Sequence, residues 1–523
     1  MKKIVALTLA LSFGSFFTLY AQTPEEALRL GWNTPGGTAR YRAIGGAMGS
    51  LGGDITAAYV NPAGLGLFKT SEFVLSPGFS FSKVKGDYRG TDGTAKKSAF
   101  DFGTTGAVFG WSERNGNWRS KAIAISINRT ANFNNTVYYK GQNDLSSFSE
   151  SFAEEFANSG LPIDVNLYSA GLTYGTKLAN YTYLIDTLTV NGNTEVIGLP
   201  QRDAILAGTS ALVDQEKRIE TTGGISELNI AFAANNNERL YLGASLGIPI
   251  VNYHRISSIY ESDASGNTSN NFNNARYNED YRLDGVGVNL KLGLIFKPAE
   301  YLRFGIGIHT PSLYALTQTQ TGFIEADLEN YFPPGKSIRR ADQDSIYTQF
   351  GVDVPEYNLD LTSPWKFLVS ASYVLREVED VTKQRGFLTA DLEYVTYGSP
   401  KYTSGDDLVD QSYYDGVNEA TKLAYKSAFN FRAGGELKFN TIMTRLGFGY
   451  YGNPYEDDAL DARHMTLSGG LGYRNKGYFI DLTYVHNLNK DVSFPYRLGD
   501  KPNTFANLKE GMGNVVMTVG VKF

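Results

Sequence analysis

The chain has 523 residues, a formal net charge of -6, 13% aromatic residues, 56 glycines and no cysteine. The lack of cysteine excludes disulfides, thiolate metal sites and cysteine nucleophiles, and it fits export to an oxidising compartment. The mild charge includes no Lys/Arg cluster long enough to follow a phosphate backbone, so the composition argues against a nucleic-acid partner.

Residues 1–21 have the pattern of a cleaved secretory signal. Lys2 and Lys3 precede an apolar run from Ile4 to Leu11, and Ala21 stands before Gln22. A membrane anchor is the alternative, but serine and glycine interrupt the apolar stretch, which falls short of the ~20 residues of a spanning helix. No later segment approaches that length, so an exported chain of this kind is either soluble or spans a membrane as a closed sheet.

Residues 22–71 are rich in glycine and predict a compact, turn-rich unit of its own. A short helical start at Pro24 to Leu30 is followed by closely spaced glycines and then by Asn61-Pro62-Ala63-Gly64-Leu65. Pro62 fixes the local backbone, the Asn61 side chain can satisfy nearby amides, and Ala63 and Gly64 permit close approach to a neighbouring wall.

Residues 72–523 alternate apolar with small or polar side chains, which is the pattern of a transmembrane antiparallel β-barrel. The last stretch shows it well, because Val515, Met517, Val519, Val521 and Phe523 fall on one face. An aromatic carboxyl terminus on such a strand resembles the assembly signal of bacterial outer-membrane barrels, so the barrel assembly machinery is an expected partner.

The turns set the number of strands. They are alternately short and long, and bacterial barrels place short turns in the periplasm and long loops outside. A first count gives fifteen strands, of which 165–178 is doubtful. Omitting it leaves fourteen strands with all short turns on one side and makes 131–222 one large extracellular insertion, which we therefore predict.

The insertion predicts a helix with an aromatic stripe. Leu145, Phe148, Phe152 and Phe156 lie on one helical face, and Ser147 and Glu150 have the spacing of a capping box. The stripe has two interpretations: it packs against neighbouring loops, or it forms an apolar groove that captures ligands at the barrel mouth.

A fourteen-stranded barrel is too wide for its own side chains to fill, so 22–71 is predicted to plug the lumen. Here a family resemblance becomes specific. Tyr41 to Met48, Asp54 to Tyr59 and Asn61 to Leu65 resemble the hatch of the FadL/OmpP1/TodX family of outer-membrane transporters. Later matches are Gly293–Pro298, Arg303–Pro311, Ser363–Lys366 and the pair of strands from Phe431–Gly434 to Tyr450. The insertion at 131–222 and the loop at 312–363 depart from the pattern, so pocket residues cannot be carried over.

The resemblance implies a passive outer-membrane transporter for hydrophobic compounds such as long-chain fatty acids. It implies loop capture, lumenal binding and release through the wall after the hatch moves, with outer-membrane lipids around the barrel. Asn128, Arg129 and Thr130 break the apolar face of an early strand and are the candidate wall opening. No catalytic residue, cofactor or metal is expected.

Other functions remain open at this point. A barrel with such a hatch can resemble a secretion component that docks exported proteins at the cell surface. A general porin is disfavoured by the plug. The nearest hydrolase pair, His309 with Ser312, lacks an orienting third partner, and Glu456-Asp457-Asp458 reads as a solvated acidic loop rather than a calcium site.

Overall fold

The computed structural model describes residues 24–31, 36–113, 115–162, 172–190, 192–333, 335–351, 356–375, 385–405, 411–458 and 460–523. The predicted signal at 1–21 lies outside the described residues. No described helix has both the length and the apolarity needed to cross a membrane.

The wall is built from strands of very unequal length. The described strands are β1 (Glu72–Leu75), β2 (Pro77–Tyr88), β3 (Thr91–Phe102), β4 (Thr105–Ser112), β5 (Trp118–Asn132), β6 (Asn135–Asn143), β7 (Ile185–Val190), β8 (Asn193–Gly198), β9 (Val213–Asn236), β10 (Leu240–Asp263), β11 (Asn274–Ala299), β12 (Leu302–His309), β13 (Leu313–Asp327), β14 (Ile338–Asp342), β15 (Tyr357–Thr362), β16 (Lys366–Leu375), β17 (Gly386–Val395), β18 (Lys401–Ser404), β19 (Ala428–Phe439), β20 (Ile442–Tyr451), β21 (His464–Asn475), β22 (Tyr478–Ser493) and β23 (Ala506–Lys522).

Helices lie in the hatch and in the loops. The described α-helices are α1 (Pro24–Gly31), α2 (Ala39–Ala43), α3 (Ala57–Val60), α4 (Ser149–Asn158), α5 (Tyr174–Tyr181), α6 (Arg202–Ala207), α7 (Gln343–Phe350) and α8 (Gln411–Ala424), and 3-10 turns lie at Pro62–Leu67, Leu199–Gln201 and Glu329–Tyr331. Of the doubtful segment 165–178 the structure describes 172–178, and this part carries the start of α5 and no strand.

The strands close into one antiparallel barrel. Six wall strands are each made of two pieces (β1 with β2, β3 with β4, β5 with β6, β12 with β13, β15 with β16, β17 with β18), and eight are continuous, which gives fourteen. The last strand, β23, closes the circle by pairing with both β1 and β2. The predicted fold, a fourteen-stranded barrel with an amino-terminal hatch in its lumen, is confirmed.

The alternation predicted for the last strand matches the burial of its side chains. Val515, Met517 and Val519 are about two-fifths exposed on the outside, whereas Val516 and Thr518 are buried on the lumen side. Since a closed sheet satisfies its backbone groups internally and presents this apolar band, the barrel is of the outer-membrane type.

Several strands are longer than the sequence pattern predicts and extend beyond the membrane. β11 has 26 residues, whereas about 9–11 suffice to cross the bilayer. Above the membrane its outward positions become polar, so the alternation that marks a lipid face fades there. The sequence pattern predicts a long, polar connection near 85–98, and this prediction is wrong: β2 and β3 continue to a tight turn in which Arg89 and Gly90 both have positive φ.

The outward apolar band predicts a depth-dependent effect of charge. Replacing Leu292, which is 46% exposed on β11, by Arg should cost about 2–4 kcal/mol of unfolding free energy. Tyr301→Arg, at the short turn and 50% exposed, should cost about 0–1 kcal/mol. Equilibrium denaturant unfolding in lipid vesicles measures both, and equal losses would contradict the assigned membrane depth.

Candidate functional site

Asn61 is the centre of the contact between hatch and wall. Its side chain is 1% exposed, and Nδ2 donates to Gly49 O at 2.6 Å and more weakly to Leu294 O and Ile306 O at 3.4 and 3.3 Å. Its Oδ1 accepts from Ala63 N at 3.2 Å and so caps the 3-10 turn that begins at Pro62. One amide therefore ties together two parts of the hatch and two wall strands.

Glycines of the wall make this approach possible. A Cβ atom at Gly293 would lie 1.9 Å from Asn61 Oδ1, and one at Gly243 would lie 2.3 Å from the carbonyl carbon of Pro62. On β12, a Cβ at Gly305 would lie 2.3 Å from Gly49 O. Three neighbouring strands thus present bare backbone to the hatch, since contacts under 3.0 Å leave no room for a side chain.

Lumen-facing polar groups hold the remaining hatch backbone. The Asp391 carboxylate accepts from Met48 N and Gly49 N at 3.0–3.2 Å. Arg303 donates to Leu51 O at 2.8 Å. These bonds matter because a buried, unpaired backbone group is costly.

The barrel wall is broken beside the hatch, between β3 and β5. β4 pairs with β5 as far as Thr105 opposite Ile127, but the described pairing of β3 is with β2 alone. From Asn128 upward, β5 keeps only its ladder with β9, and that ladder shifts register between Arg129 and Ala131. Two strands that are paired below the break therefore lose their hydrogen-bonded pairing above it.

The three residues predicted as the wall opening lie on one side of this break. Asn128 is buried and its Oδ1 accepts from Thr104 Oγ1 at 2.8 Å. Thr130 is also buried and donates to Ile225 O at 3.3 Å. The guanidinium of Arg129 reaches back to Gly223 O at 2.5 Å and faces Asp101 across the break, with Nε 4.0 Å from Oδ1.

The first residues of the hatch touch both sides of the break. A Cβ at Gly36 would lie 1.7 Å from Arg129 O on β5, and one at Gly103 would lie 2.2 Å from Gly37 O. A cavity opens directly behind, between Tyr41 and Arg42 of the hatch and Asp101 and Asn132 of the two separated strands. Movement of the hatch would therefore act on the break directly.

A packed cluster of apolar side chains, which we call the apolar chamber, lies above the hatch on the side of the long loops. Ala27 and Leu30 of α1 are buried in it, so the amino-terminal helix occupies the lumen. The wall of the chamber contributes Ala131, Phe133, Ile225, Val251, Tyr253, Tyr281, Leu283, Tyr314, Leu316, Leu359, Leu361 and Tyr402, and α8 contributes Tyr414 and Val417. Ala131 and Phe133 follow the break residues directly, so the chamber and the break adjoin.

Glu26 places an acidic group inside this chamber. Its carboxylate accepts from Tyr281 Oη at 2.9 Å and lies 3.4 Å from an Arg255 guanidinium nitrogen. Burial raises the pKa of the Glu26 carboxyl to about 7 against the opposing pull of Arg255 and Arg29.

The predicted aromatic stripe of the insertion packs inward. Phe148, Phe152 and Phe156 are at most 8% exposed, and they pack within the insertion and against the tall strands, whereas Leu145 is 43% exposed. This arrangement matches the packing interpretation rather than an open groove at those three phenylalanines. Helix α4 begins at Ser149, with Ser147 N donating to Glu150 Oε1 at 2.7 Å.

His309 and Ser312 face different partners. His309 Nε2 lies 2.9 Å from Val60 O of the hatch, and Ser312 Oγ accepts from Asn289 Nδ2 at 2.9 Å. Both side chains thus serve the contact between wall and hatch or the lumenal polar network.

Sequence reasoning missed Asp391 and Asp101. Both sit at lumen-facing positions of ordinary strands, and nothing in their neighbours distinguishes them from other polar lumen residues. The glycines at 243, 293 and 305 carried a signal, because they interrupt the lumen face of three successive strands within two residues of the same register.

We expect Gly293→Ala to loosen the hatch, because the new methyl group collides with Asn61 Oδ1. Amide hydrogen exchange of residues 49–66 should quicken by about tenfold or more. Gly469→Ala is the matched control, since its nearest neighbour would be Leu446 Cδ2 at 3.5 Å. Unchanged exchange in the Gly293 variant would show that the close contact is not needed to seat the hatch.

The docking of α1 should weaken as pH rises. A Glu26 pKa of about 7, against about 4.3 for a free side chain, means that the docked helix holds a proton which the released helix loses in this interval. Stability of docking therefore falls between these two values. Exchange of amides 24–31, corrected for intrinsic rates, should be faster at pH 8 than at pH 5.5, and Glu26→Gln should remove most of the difference. An identical pH response in Glu26→Gln would assign it to another group.

Solved structures share this architecture. A FadL homologue from Pseudomonas aeruginosa aligns over 94% of this chain and 100% of its own, with 13% identity and a TM-score of 0.53. The toluene transporters TodX of P. putida and TbuX of Ralstonia pickettii align over 94% of this chain and 99% of theirs, with 14% and 15% identity and TM-scores of 0.49 and 0.47. No protein-family model matches the sequence, and no curated protein does. The chain therefore has the FadL fold, a fourteen-stranded barrel plugged by an amino-terminal hatch, which confirms the resemblance at the level of the fold.

Proposed function

We propose that the protein is a passive transporter that takes hydrophobic compounds, such as long-chain fatty acids, across the outer membrane and releases them sideways through its wall. The observation that carries this proposal is the break between β3 and β5 beside the hatch. Separated strands leave unpaired edges, which are costly in a membrane. A barrel that served only as a scaffold would have no use for them.

Capture is assigned to apolar side chains exposed on the loops. Ile205 and Leu206 of α6 are 43% and 59% exposed, and Leu145 adds to them. They replace the buried phenylalanines of α4 as candidate first contacts. An acyl chain that leaves water for such a surface gains about 25 cal/mol per Å2 of apolar area buried.

Lumenal binding is assigned to the apolar chamber that α1 fills. The apolar side chains that the helix inserts are Ala27 and Leu30, and the residues around them are tyrosines and aliphatic residues. A hydrophobic cargo of similar width can take their place. The carboxylate of a fatty acid would find Arg29, which now donates to Tyr253 Oη, and Arg255, which now lies between Glu279 at 2.5 Å and Glu26 at 3.4 Å.

Release is assigned to the break itself. Arg129 and Asp101 face each other across it, and Gly36 and Gly37 of the hatch press against both edges. Displacement of α1 would pull on the hatch start and widen the opening. A hydrophobic cargo then enters the bilayer without crossing a watery pore.

A reversible staple tests the release step. The chain has no cysteine, so Asp101→Cys with Arg129→Cys gives a unique pair for a bifunctional methanethiosulfonate linker across the break. We expect stapling to reduce cellular uptake of a fluorescent fatty acid by about tenfold or more, because the linker holds the two edges of the break together. Uptake should recover when the linker is reduced, since the earlier binding steps are untouched.

The matched control is Phe109→Cys with Ile123→Cys, a directly paired position below the break. Stapling there joins strands that are already bonded and should leave uptake unchanged. Full uptake through the stapled Asp101 and Arg129 pair would exclude release through this wall. Loss of fatty-acid binding by the purified, unstapled protein would instead contradict the transporter proposal as a whole.

A further inference from the structure

Six cations form a patch on the outer surface of the barrel, away from the lumen. Lys96 lies on β3, Lys83 and Lys85 on β2, Lys509 on β23, Lys490 on β22, and Arg463 just before β21. All six side chains are exposed. We call this set the basic patch; it spans five adjacent strands.

The register of the sheet places like charges opposite one another. Lys83 pairs with Lys96, and Lys509 lies between Lys85 and Lys490. Like charges directly opposite on one face destabilise a sheet. Such an arrangement indicates that something outside the chain compensates the charge.

The chain itself compensates little of this charge. Asp461 binds Arg463 and Lys490 at 2.7 and 3.1 Å, and Asp87 and Asp92 stand higher, at the tip of the β2–β3 hairpin. Four lysines of the patch lie more than 4.0 Å from every carboxylate among the described residues and so form no ion pair there: Lys83, Lys85, Lys96 and Lys509. The patch therefore keeps a net positive charge.

An apolar groove of about 490 Å3 adjoins the lysines. Its floor is Gly511, which lies between Lys83 and Leu488 in register and has no atom within 4 Å of where a Cβ would stand. Met465 and Tyr450 continue the groove on the next strands. A bare glycine among large outward side chains leaves a slot of the width of an alkyl chain.

The height of the patch completes the argument. Below it on the same strands, Phe79, Phe81 and Leu467 belong to the outward apolar band, each 42–53% exposed. Above it, the strands carry polar residues toward the long loops. The lysines thus stand at the upper boundary between lipid and water, where charged head groups lie.

We propose that the basic patch and its groove bind a lipid that carries phosphate groups, with the phosphates on the lysines and an acyl chain along Gly511. Ammonium groups bind phosphate through charge-assisted hydrogen bonds. An acidic polypeptide could satisfy the charge but would leave the apolar slot empty, so the combination selects a lipid.

The test uses the full-length protein, purified in detergent and freed of lipid, with binding followed by native mass spectrometry. The probes are diphosphorylated lipid A and the same lipid after enzymatic removal of its phosphates. We expect the phosphorylated probe to bind the wild type at least about tenfold more tightly than the dephosphorylated one. Equal affinity for both probes would overturn the proposal.

Two variants locate the site. Lys85→Gln, Lys490→Gln and Lys509→Gln together should weaken phosphorylated lipid binding by about tenfold or more. Gly511→Phe, whose Cβ would meet no atom within 4 Å and whose ring would occupy the slot, should also weaken it while leaving every cation in place. The matched control replaces the exposed Lys401, Lys422 and Lys476 by Gln, which removes the same charge elsewhere.

The outcomes separate the possibilities. Weakening by both test variants and not by the control supports a lipid site here. Wild-type affinity in the triple Lys85, Lys490 and Lys509 variant overturns the site. Loss in that variant with no loss in Gly511→Phe, together with tight binding of a soluble polyglutamate, overturns the lipid in favour of an acidic polypeptide.

Discussion

The structure depends on how the hatch is fixed inside a barrel that its own side chains cannot fill. The hatch is too small to form an independent core, so its backbone groups must find partners on the wall. Asn61 and Asp391 supply several of them, and wall glycines bring the two backbones within contact distance. The net contribution of one hydrogen bond to stability is only about 1 kcal/mol. The hatch is therefore held by several weak contacts and not by one strong one.

The contacts between hatch and wall also affect the break in the wall. A closed ladder is the stable state of a sheet in lipid, and a gap between β3 and β5 exists only because other groups cover its edges. Gly36 and Gly37 of the hatch, and the facing pair Arg129 and Asp101, provide part of that cover. The hatch is therefore both the plug of the lumen and a support of the broken ladder, so the two are in direct contact.

The outer surface obeys a different constraint from the lumen. Most outward positions at membrane height carry large apolar side chains, as contact with lipid tails requires. The basic patch and the bare Gly511 lie together at the upper boundary of this apolar band. Neither the strand pattern nor the hatch requires this combination, which is why a separate ligand explains it better than the proposed transport route does.

The sequence by itself determined the class of fold. Alternation such as that of Val515 to Phe523, the alternately short and long turns and the glycine-rich unit ending at Asn61-Pro62-Ala63 sufficed for a plugged, fourteen-stranded barrel, because these signals are local. It also singled out Asn128 to Thr130, whose polar side chains interrupt an apolar face. Only the tertiary structure decided that Phe148, Phe152 and Phe156 turn inward, that Asp101 faces Arg129, and that lysines from four strands stand side by side. These are juxtapositions of residues far apart in the chain, and they are set by strand register and barrel closure, which no local pattern encodes.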